Sequence, residues 1–135
     1  MITDTHTHLY SEQFNDDRKA MIQRAKDAGV SRFFIPAIDS SYTESMFSLE
    51  KENPNEVFLM MGLHPTSVKE NYLEELAHVK NWIDKRNFYA IGEIGIDLYW
   101  DKSFLQQQQE TQTKIAERQT IETAKATAQA SGNTK

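Results

Sequence analysis

The sequence contains no cysteine, which excludes disulfide bonds and thiolate metal ligands. Any metal ion must therefore be held by imidazole and carboxylate groups. No apolar run approaches the roughly 20 residues that cross a bilayer, and the first residues have neither a basic nor an apolar signal region. We therefore expect a protein of the reducing cytoplasm with no membrane partner.

The sequence also lacks an excess of basic residues. Fifteen Lys and Arg face 20 Asp and Glu, which gives a formal net charge of −5. A protein that holds nucleic acid by a broad basic surface needs clustered cations to neutralise phosphates. That class is disfavoured, although an acidic protein can still cleave nucleic acid through bound metal ions.

Four short apolar runs alternate with segments of helical periodicity. The third helical segment is the clearest, because its apolar residues advance by four, three and four positions from Tyr72 to Ile83. Near-continuous apolar strands between amphipathic helices indicate a parallel sheet covered by helices. The predicted strands are Ile2–Leu9, Val30–Ile38, Val57–Leu63 and Phe88–Ile96.

The strand spacing of roughly 28 residues is typical of an α/β protein of the parallel (β/α)8 TIM-barrel class, which needs about 250 residues. With 135 residues, the chain is expected to be a truncated barrel of about four β/α units. A small doubly wound sheet is the alternative, but it normally needs a fifth strand. We therefore divide the chain into a half-barrel, residues 1–105, and a tail, residues 106–135.

The tail begins with four glutamines and contains no aromatic residue. With only Ile115 and Ile121 strongly apolar, it is expected to bury no helical stripe and to form a frayed helix or a disordered segment. The abrupt change of composition suggests a truncated or frame-shifted product.

His6 and His8 are the sharpest candidate functional residues. Residues i and i+2 of a strand point to one face, so both imidazoles can be directed into the barrel mouth, where parallel barrels keep their chemistry. That arrangement suits two ligands of one divalent ion. The alternative is a terminal strand with two chance histidines.

Two further strand ends carry candidate groups. Glu93, between Gly92 and Gly95, is expected to project its carboxylate at the same rim, where it can bridge two ions. His64, before Pro65, can contact a substrate phosphate, or it can be a structural histidine of the loop. Glu93 has its own alternative as an ordinary loop acid, and His78 is assigned no role.

These motifs resemble the TatD-like metal-dependent deoxyribonucleases, a family of amidohydrolase-like barrels. The resemblance covers residues 2–105 and depends on several motifs in the right order. They are Asp4-Thr5-His6-Thr7-His8-Leu9, Ala28-Gly29-Val30, Gly62-Leu63-His64-Pro65 and Gly92-Glu93-Ile94-Gly95-Ile96-Asp97, followed by Tyr99 and Asp101.

The resemblance implies that His6 and His8 bind one ion, and that Glu93 is a catalytic residue bridging two divalent ions, Mg, Mn or Zn. It also implies that His64 lies near the scissile phosphate and that DNA is the substrate. Tyr10 stands where the family usually has an acidic residue. A hydrolase of a small phosphoester or amide and a non-catalytic half-barrel fragment are the alternative functions.

The family takes further ligands and an aspartate from strands of its second half, and no histidine follows His78. We therefore expect weak metal binding and little or no turnover by a monomer. Because a half-barrel leaves two open sheet edges, two copies are expected to close against each other as a homodimer.

Overall fold

The protein is a four-stranded parallel sheet with helices on its outer face. The computed structural model describes residues 1–132. The strands are β1 Ile2–Asp4, β2 Val30–Ile35, β3 Val57–Met61 and β4 Ala90–Ile91, and the helices are α1 Arg18–Asp27, α2 Thr43–Glu52, α3 Tyr72–Lys85 and α4 Leu105–Gly132. This alternation confirms the predicted β/α units.

The strand order is β1-β2-β3-β4, and every neighbouring pair is parallel. Consecutive strands therefore lie side by side in a curled half-barrel, as predicted. In β3, Val57, Leu59 and Met61 are buried against the helices, whereas Phe58 and Met60 are partly exposed on the concave face. The core thus lies between the sheet and its helices, and the concave face stays open to solvent.

All four strands are shorter than predicted, mainly at their carboxyl ends. β1 ends at Asp4, so the prediction that His6 and His8 lie within a regular strand is wrong. The Asp4 carboxylate accepts a hydrogen bond from the His6 backbone amide and forms a local turn there. The chain still follows β2 beyond this turn, because Thr7 N donates to Phe34 O at 3.2 Å.

The tail differs from expectation in one respect. Within the described residues it is helical, and Gln108, Thr111 and Ile115 of α4 are buried. The expectation that this segment buries no stripe is therefore wrong for its first three turns, where the Gln108 amide is satisfied by hydrogen bonds to the backbone of Asp97. Residues 133–135 of the predicted tail lie outside the described residues.

Helix α4 packs against α3. The Tyr72 hydroxyl donates to the Glu110 carboxylate at 2.9 Å, and Arg118 forms an ion pair with Asp84.

Between residues 1 and 132, no helix is both long and apolar enough to cross a membrane.

Candidate metal centre

The carboxyl ends of β1, β3 and β4 deliver the predicted site residues to one edge of the sheet. His6 and His8 follow β1, His64 follows β3 and Glu93 follows β4. Ligand atoms of His6, His8 and Glu93 all lie within 4.8 Å of one another. His64 joins them, since its Nε2 is 3.5 Å from Glu93 Oε1. His78 lies elsewhere and makes a hydrogen bond with Thr43.

The distances within this cluster match the spacing of ligands around one divalent ion. Ligands at about 2.0–2.2 Å from a zinc-like ion are separated from each other by about 3.0–3.5 Å. The two Nε2 atoms of His6 and His8 are 3.3 Å apart, and Glu93 oxygens lie 3.5 Å from His6 Nε2 and 3.1 Å from His8 Nε2. Three nitrogen and oxygen donors therefore converge on a single point.

Arg18 of α1 fixes the loop that follows the two histidines. Its Nε donates to Leu9 O at 2.7 Å, and its Nη2 lies 3.3 Å from Tyr10 O and 2.9 Å from Ser11 O. Three successive carbonyl groups are thus held by one guanidinium. The loop is preorganised before any ion arrives.

Tyr10 contacts the ring nitrogen of His8 that is not directed towards Glu93. The buried Tyr10 hydroxyl donates its only proton to Pro36 O at 2.8 Å, so it can act only as an acceptor towards His8 Nδ1, which is 3.0 Å away. A neutral His8 therefore carries its proton on Nδ1. Its Nε2 then carries the lone pair and faces His6 and Glu93.

His64 has the opposite arrangement. The backbone N–H of Thr66 donates to His64 Nδ1 at 3.1 Å, so that nitrogen carries the lone pair. The proton of neutral His64 is then on Nε2, directed towards Glu93 Oε1. His64 therefore offers a hydrogen-bond donor at the site, whereas His8 offers a ligand atom.

When the imidazoles are neutral, these proton positions leave Glu93 Oε2 unsatisfied. This oxygen is buried and has no hydrogen-bond donor among the described residues, although His8 Nε2 lies only 3.1 Å from it. Two acceptors that face each other without a proton between them repel, and a bound cation removes that repulsion. The donor set therefore fits a divalent ion.

The charge of Glu93 is supported by its surroundings. Burial opposes ionisation, but when the imidazoles carry both protons, a hydrogen bond from His8 and the charges of His64, His8 and His6 outweigh burial. The pKa of the Glu93 carboxyl consequently lies below its usual value. The carboxylate is ionised at neutral pH without any help from a metal. Burial, followed by the charge of Glu93, raises the pKa of Tyr10, which stays a neutral phenol.

Close backbone contacts hold Glu93 in position. Its backbone N donates to Ala37 O at 3.1 Å, and Leu63 N donates to its carbonyl at 2.9 Å. A Cβ on Gly62 would come within 2.7 Å of the Gly92 carbonyl carbon and 2.9 Å of Glu93 N. Position 62 therefore has no room for a side chain.

Three residues near the site had no assigned role in the sequence analysis. Tyr10 and Thr66 fix the protons of His8 and His64, and the Gln108 amide brackets Asp97 by accepting from its N–H and donating to its carbonyl. Asp97 is the last residue of the Gly92–Asp97 motif, and its side chain accepts a hydrogen bond from Tyr99 N. Of Tyr10, Thr66 and Gln108, only Tyr10 was marked by a sequence signal, because it stands where the family usually has an acidic residue.

A family model described as TatD related DNase matches residues 3–129. The metal-dependent hydrolase YjjV of Escherichia coli, described as uncharacterized, is 32% identical over 120 residues, which cover 85% of this chain and 46% of that protein. The 3'-5' ssDNA/RNA exonuclease TatD of Erwinia tasmaniensis is 32% identical over 94 residues, covering 70% of this chain and 36% of that protein.

The solved structure of YjjV has a TM-score of 0.76 and 28% identity, covering 84% of this chain and 44% of that one. A TatD-family hydrolase from Entamoeba histolytica matches with a TM-score of 0.63 at 23% identity, covering 84% of this chain and 44% of that one, which supports the fold alone. The chain spans less than half the length of these relatives.

Proposed function

Because the chain belongs to the TatD-related DNase family of metal-dependent hydrolases, we propose that it contributes a divalent-metal centre that hydrolyses nucleic-acid phosphodiester bonds. The observation that supports this proposal most directly is the convergence of His6, His8 and Glu93 beside the N–H of His64. DNA is the proposed substrate. The name of the Erwinia relative, an exonuclease of single-stranded DNA and RNA, supports that choice.

His6 and His8 hold the first ion together with Glu93. When bound, Mg, Mn or Zn supplies Lewis-acid stabilisation of the negative charge that develops on phosphate oxygens. A second ion is part of the proposal, with Glu93 as the bridging catalytic carboxylate. For that ion, the side chains that the structure describes provide no other cluster of three ligands, so its binding is expected to be weak.

His64 binds the substrate in this proposal. Its Nε2–H points to the same place as the ligands, where it can donate to a phosphate oxygen. A donor held in position before the substrate arrives stabilises developing charge without reorganisation. Because Nδ1 is occupied by Thr66, the imidazole cannot turn its lone pair to the ion without losing that bond.

The loop after β4 supports a single-stranded substrate. Tyr99 and Trp100 are 81% and 78% exposed, and Trp100 lines a small cavity of about 70 Å³ with Pro65 and Thr66, beside His64. Exposed aromatic rings next to a nuclease site can stack unpaired bases, which a duplex does not present. Tryptophan fluorescence, to which Trp100 and the more distant Trp82 both contribute, reports such binding.

The first prediction tests the metal centre and the substrate together. We expect saturable Mn²⁺ binding by the wild-type protein and its loss in a His6→Ala/His8→Ala double variant, measured by calorimetry. His78→Ala is the matched control, because this histidine lies outside the cluster, and its binding should equal that of wild type. A single-stranded oligonucleotide should quench tryptophan fluorescence.

Hydrolysis is measured in the same preparations with a labelled single-stranded DNA and with a small nitrophenyl phosphodiester. Cleavage that needs Mn²⁺ and is absent from the double variant supports the nuclease. Cleavage of the small diester alone favours a small-molecule phosphodiesterase. Mn²⁺ binding without cleavage of either favours a non-catalytic half-barrel.

We further propose that two copies close into a homodimer through the exposed half-barrel edges. β1 and β4 each have one neighbour in the described sheet, and a twofold axis along the barrel would place β4 parallel to β1 of the partner. On the concave face, Phe34, Phe58 and Tyr89 form an aromatic cluster, with Tyr89 67% exposed. A second copy would bury this cluster.

The second prediction concerns this assembly. Light scattering is expected to give twice the 15.6 kDa of one chain. Phe58→Asp should shift the mass to that of a monomer, since a charge on the concave face opposes its burial. Leu73→Asp, on α3 beside α4 and already 55% exposed, should leave the dimer intact. A well-folded wild-type monomer would exclude the proposal.

A further inference from the structure

Tyr10 is buried against the candidate metal centre but is not one of its ligands. Its side chain is 3% exposed, and its hydroxyl donates to the Pro36 carbonyl and contacts His8 Nδ1. The ring packs edge-on against His8, with 5.7 Å between centroids, and beside Tyr42 at 5.3 Å. The hydroxyl therefore has a fixed position, and its proton has a fixed direction.

The hydrogen bonds of Tyr10 place the proton of neutral His8 on Nδ1. A phenol has one proton, and the Pro36 carbonyl can only accept, so the Tyr10 proton lies between those two oxygens. The remaining contact of 3.0 Å requires a proton from His8 Nδ1. If His8 instead carried its proton on Nε2, a buried lone pair of Nδ1 would face a hydroxyl whose proton is already used.

We propose that Tyr10 is a positioning residue of the metal centre, which keeps the His8 proton on Nδ1 and so presents Nε2 as a ready ligand. Partners that bind the outer nitrogen of a metal-binding histidine fix its tautomer and its ring orientation. Here the partner is a neutral phenol whose direction is set by the carboxyl end of β2. The backbone at the end of β2 thereby controls the tautomer of His8, which follows the neighbouring strand β1.

His6 has no comparable partner within the described residues, which makes His8 the more defined of the two ligands. The His6 side chain is 55% exposed, against 26% for His8, and its side-chain contacts, with His8 and Glu93, are both made by Nε2. In the metal-free protein, neutral His6 can carry its proton on Nε2. In that tautomer, the proton must move to Nδ1 before Nε2 can bind an ion. His8 needs no such change.

The experiment uses the full chain, stripped of metal by a chelator and labelled with ¹⁵N in histidine. Long-range ¹H–¹⁵N spectra at about pH 8.5, above the ordinary imidazole pKa of about 6.5, identify the protonated nitrogen of each ring. A His8→Gln variant assigns the His8 signals. We expect protonated Nδ1 in wild-type His8 and its loss in Tyr10→Phe, with Zn²⁺ affinity lower by about tenfold.

Tyr42→Phe is the matched control. It removes a hydroxyl that contacts Glu12 rather than His8, and the His8 signals and Zn²⁺ affinity should remain those of wild type. An unchanged His8 tautomer in Tyr10→Phe overturns the proposal. If Tyr10→Phe does not fold, the wild-type spectrum still decides, because protonated Nε2 in wild-type His8 overturns the proposal as well.

This inference rests on the proposed metal centre, but the two can fail separately. The tautomer is measured without metal, so it can be correct in a protein that cleaves nothing. Conversely, Mn²⁺ binding that needs His8 but tolerates Tyr10→Phe leaves the metal centre intact and removes only the role of Tyr10.

Discussion

Glu93→Gln is expected to abolish metal binding and, at the same time, to stabilise the metal-free protein. The substitution keeps the size of the side chain but removes its charge and one ligand oxygen. The affinity for Mn²⁺ should fall by more than about 100-fold, which exceeds the effect of removing groups that only support a ligand. Calorimetry on the variant and the wild type measures this loss.

The gain in stability follows from the proton positions. Glu93 Oε2 is buried, lacks a donor among the described residues and faces the lone pair of His8 Nε2 at 3.1 Å. The amide that the substitution introduces can place an N–H at that position and turn a repulsive contact into a hydrogen bond. One added hydrogen bond is worth about 1 kcal/mol, which raises the Tm by a few degrees near pH 8.

Glu75→Gln is the matched control with the opposite expected sign. Glu75 is also buried, but both of its oxygens are satisfied, since they accept from Ser40 N at 2.9 Å and from Ser40 Oγ at 2.6 Å. An amide there can keep its oxygen towards Ser40 N, but its NH₂ then replaces the charged acceptor of the Ser40 hydroxyl. A charge-assisted hydrogen bond becomes a weaker neutral one, so the Tm should fall while Mn²⁺ binding persists. A lower Tm for metal-free Glu93→Gln would contradict the proton assignment.

Gly62→Ala is expected to destroy the metal centre although residue 62 is not one of the ligands. The new Cβ would overlap the backbone of Gly92 and Glu93, and backbone atoms cannot move aside as a flexible side chain can. Overpacking of this kind costs about 1–3 kcal/mol. The displacement of Glu93 should reduce Mn²⁺ affinity by at least about tenfold, as calorimetry would measure.

Gly92→Ala tests whether this effect is specific to position 62. A Cβ at Gly92 would lie 3.4 Å from Met60 Sδ and 3.6 Å from Pro36 Cβ, close to ordinary van der Waals contact. We expect Mn²⁺ affinity and Tm near wild type. Equal losses in both variants would mean that any change beside Glu93 disturbs the site, and that the close approach at Gly62 has no special role.

The sequence was sufficient to predict the four β/α units and their parallel arrangement. Parallel strands place their carboxyl ends at one edge, so three motifs that follow three strands had to approach each other. The structure does bring His6, His8, His64 and Glu93 together. Their roles in binding and catalysis remain predictions.

Other features could not be predicted because they depend on partners that are distant in the sequence. The proton of His8 depends on Pro36, 26 residues beyond Tyr10, and no local pattern encodes that pairing. The burial of Gln108 was missed because a polar residue was assumed to face solvent. Its amide instead pairs with both backbone groups of Asp97, much as a neighbouring strand would.

The guanidinium of Arg18 has a consequence for the reversibility of metal loading. Acid releases metal ions from imidazole ligands by protonating them, but an arginine keeps its charge at every accessible pH. The bonds from Arg18 to the carbonyls of Leu9, Tyr10 and Ser11 therefore do not depend on pH. At the proposed metal centre, the loop would therefore keep its shape after an ion is released, and the ion could return on neutralisation without refolding of that loop.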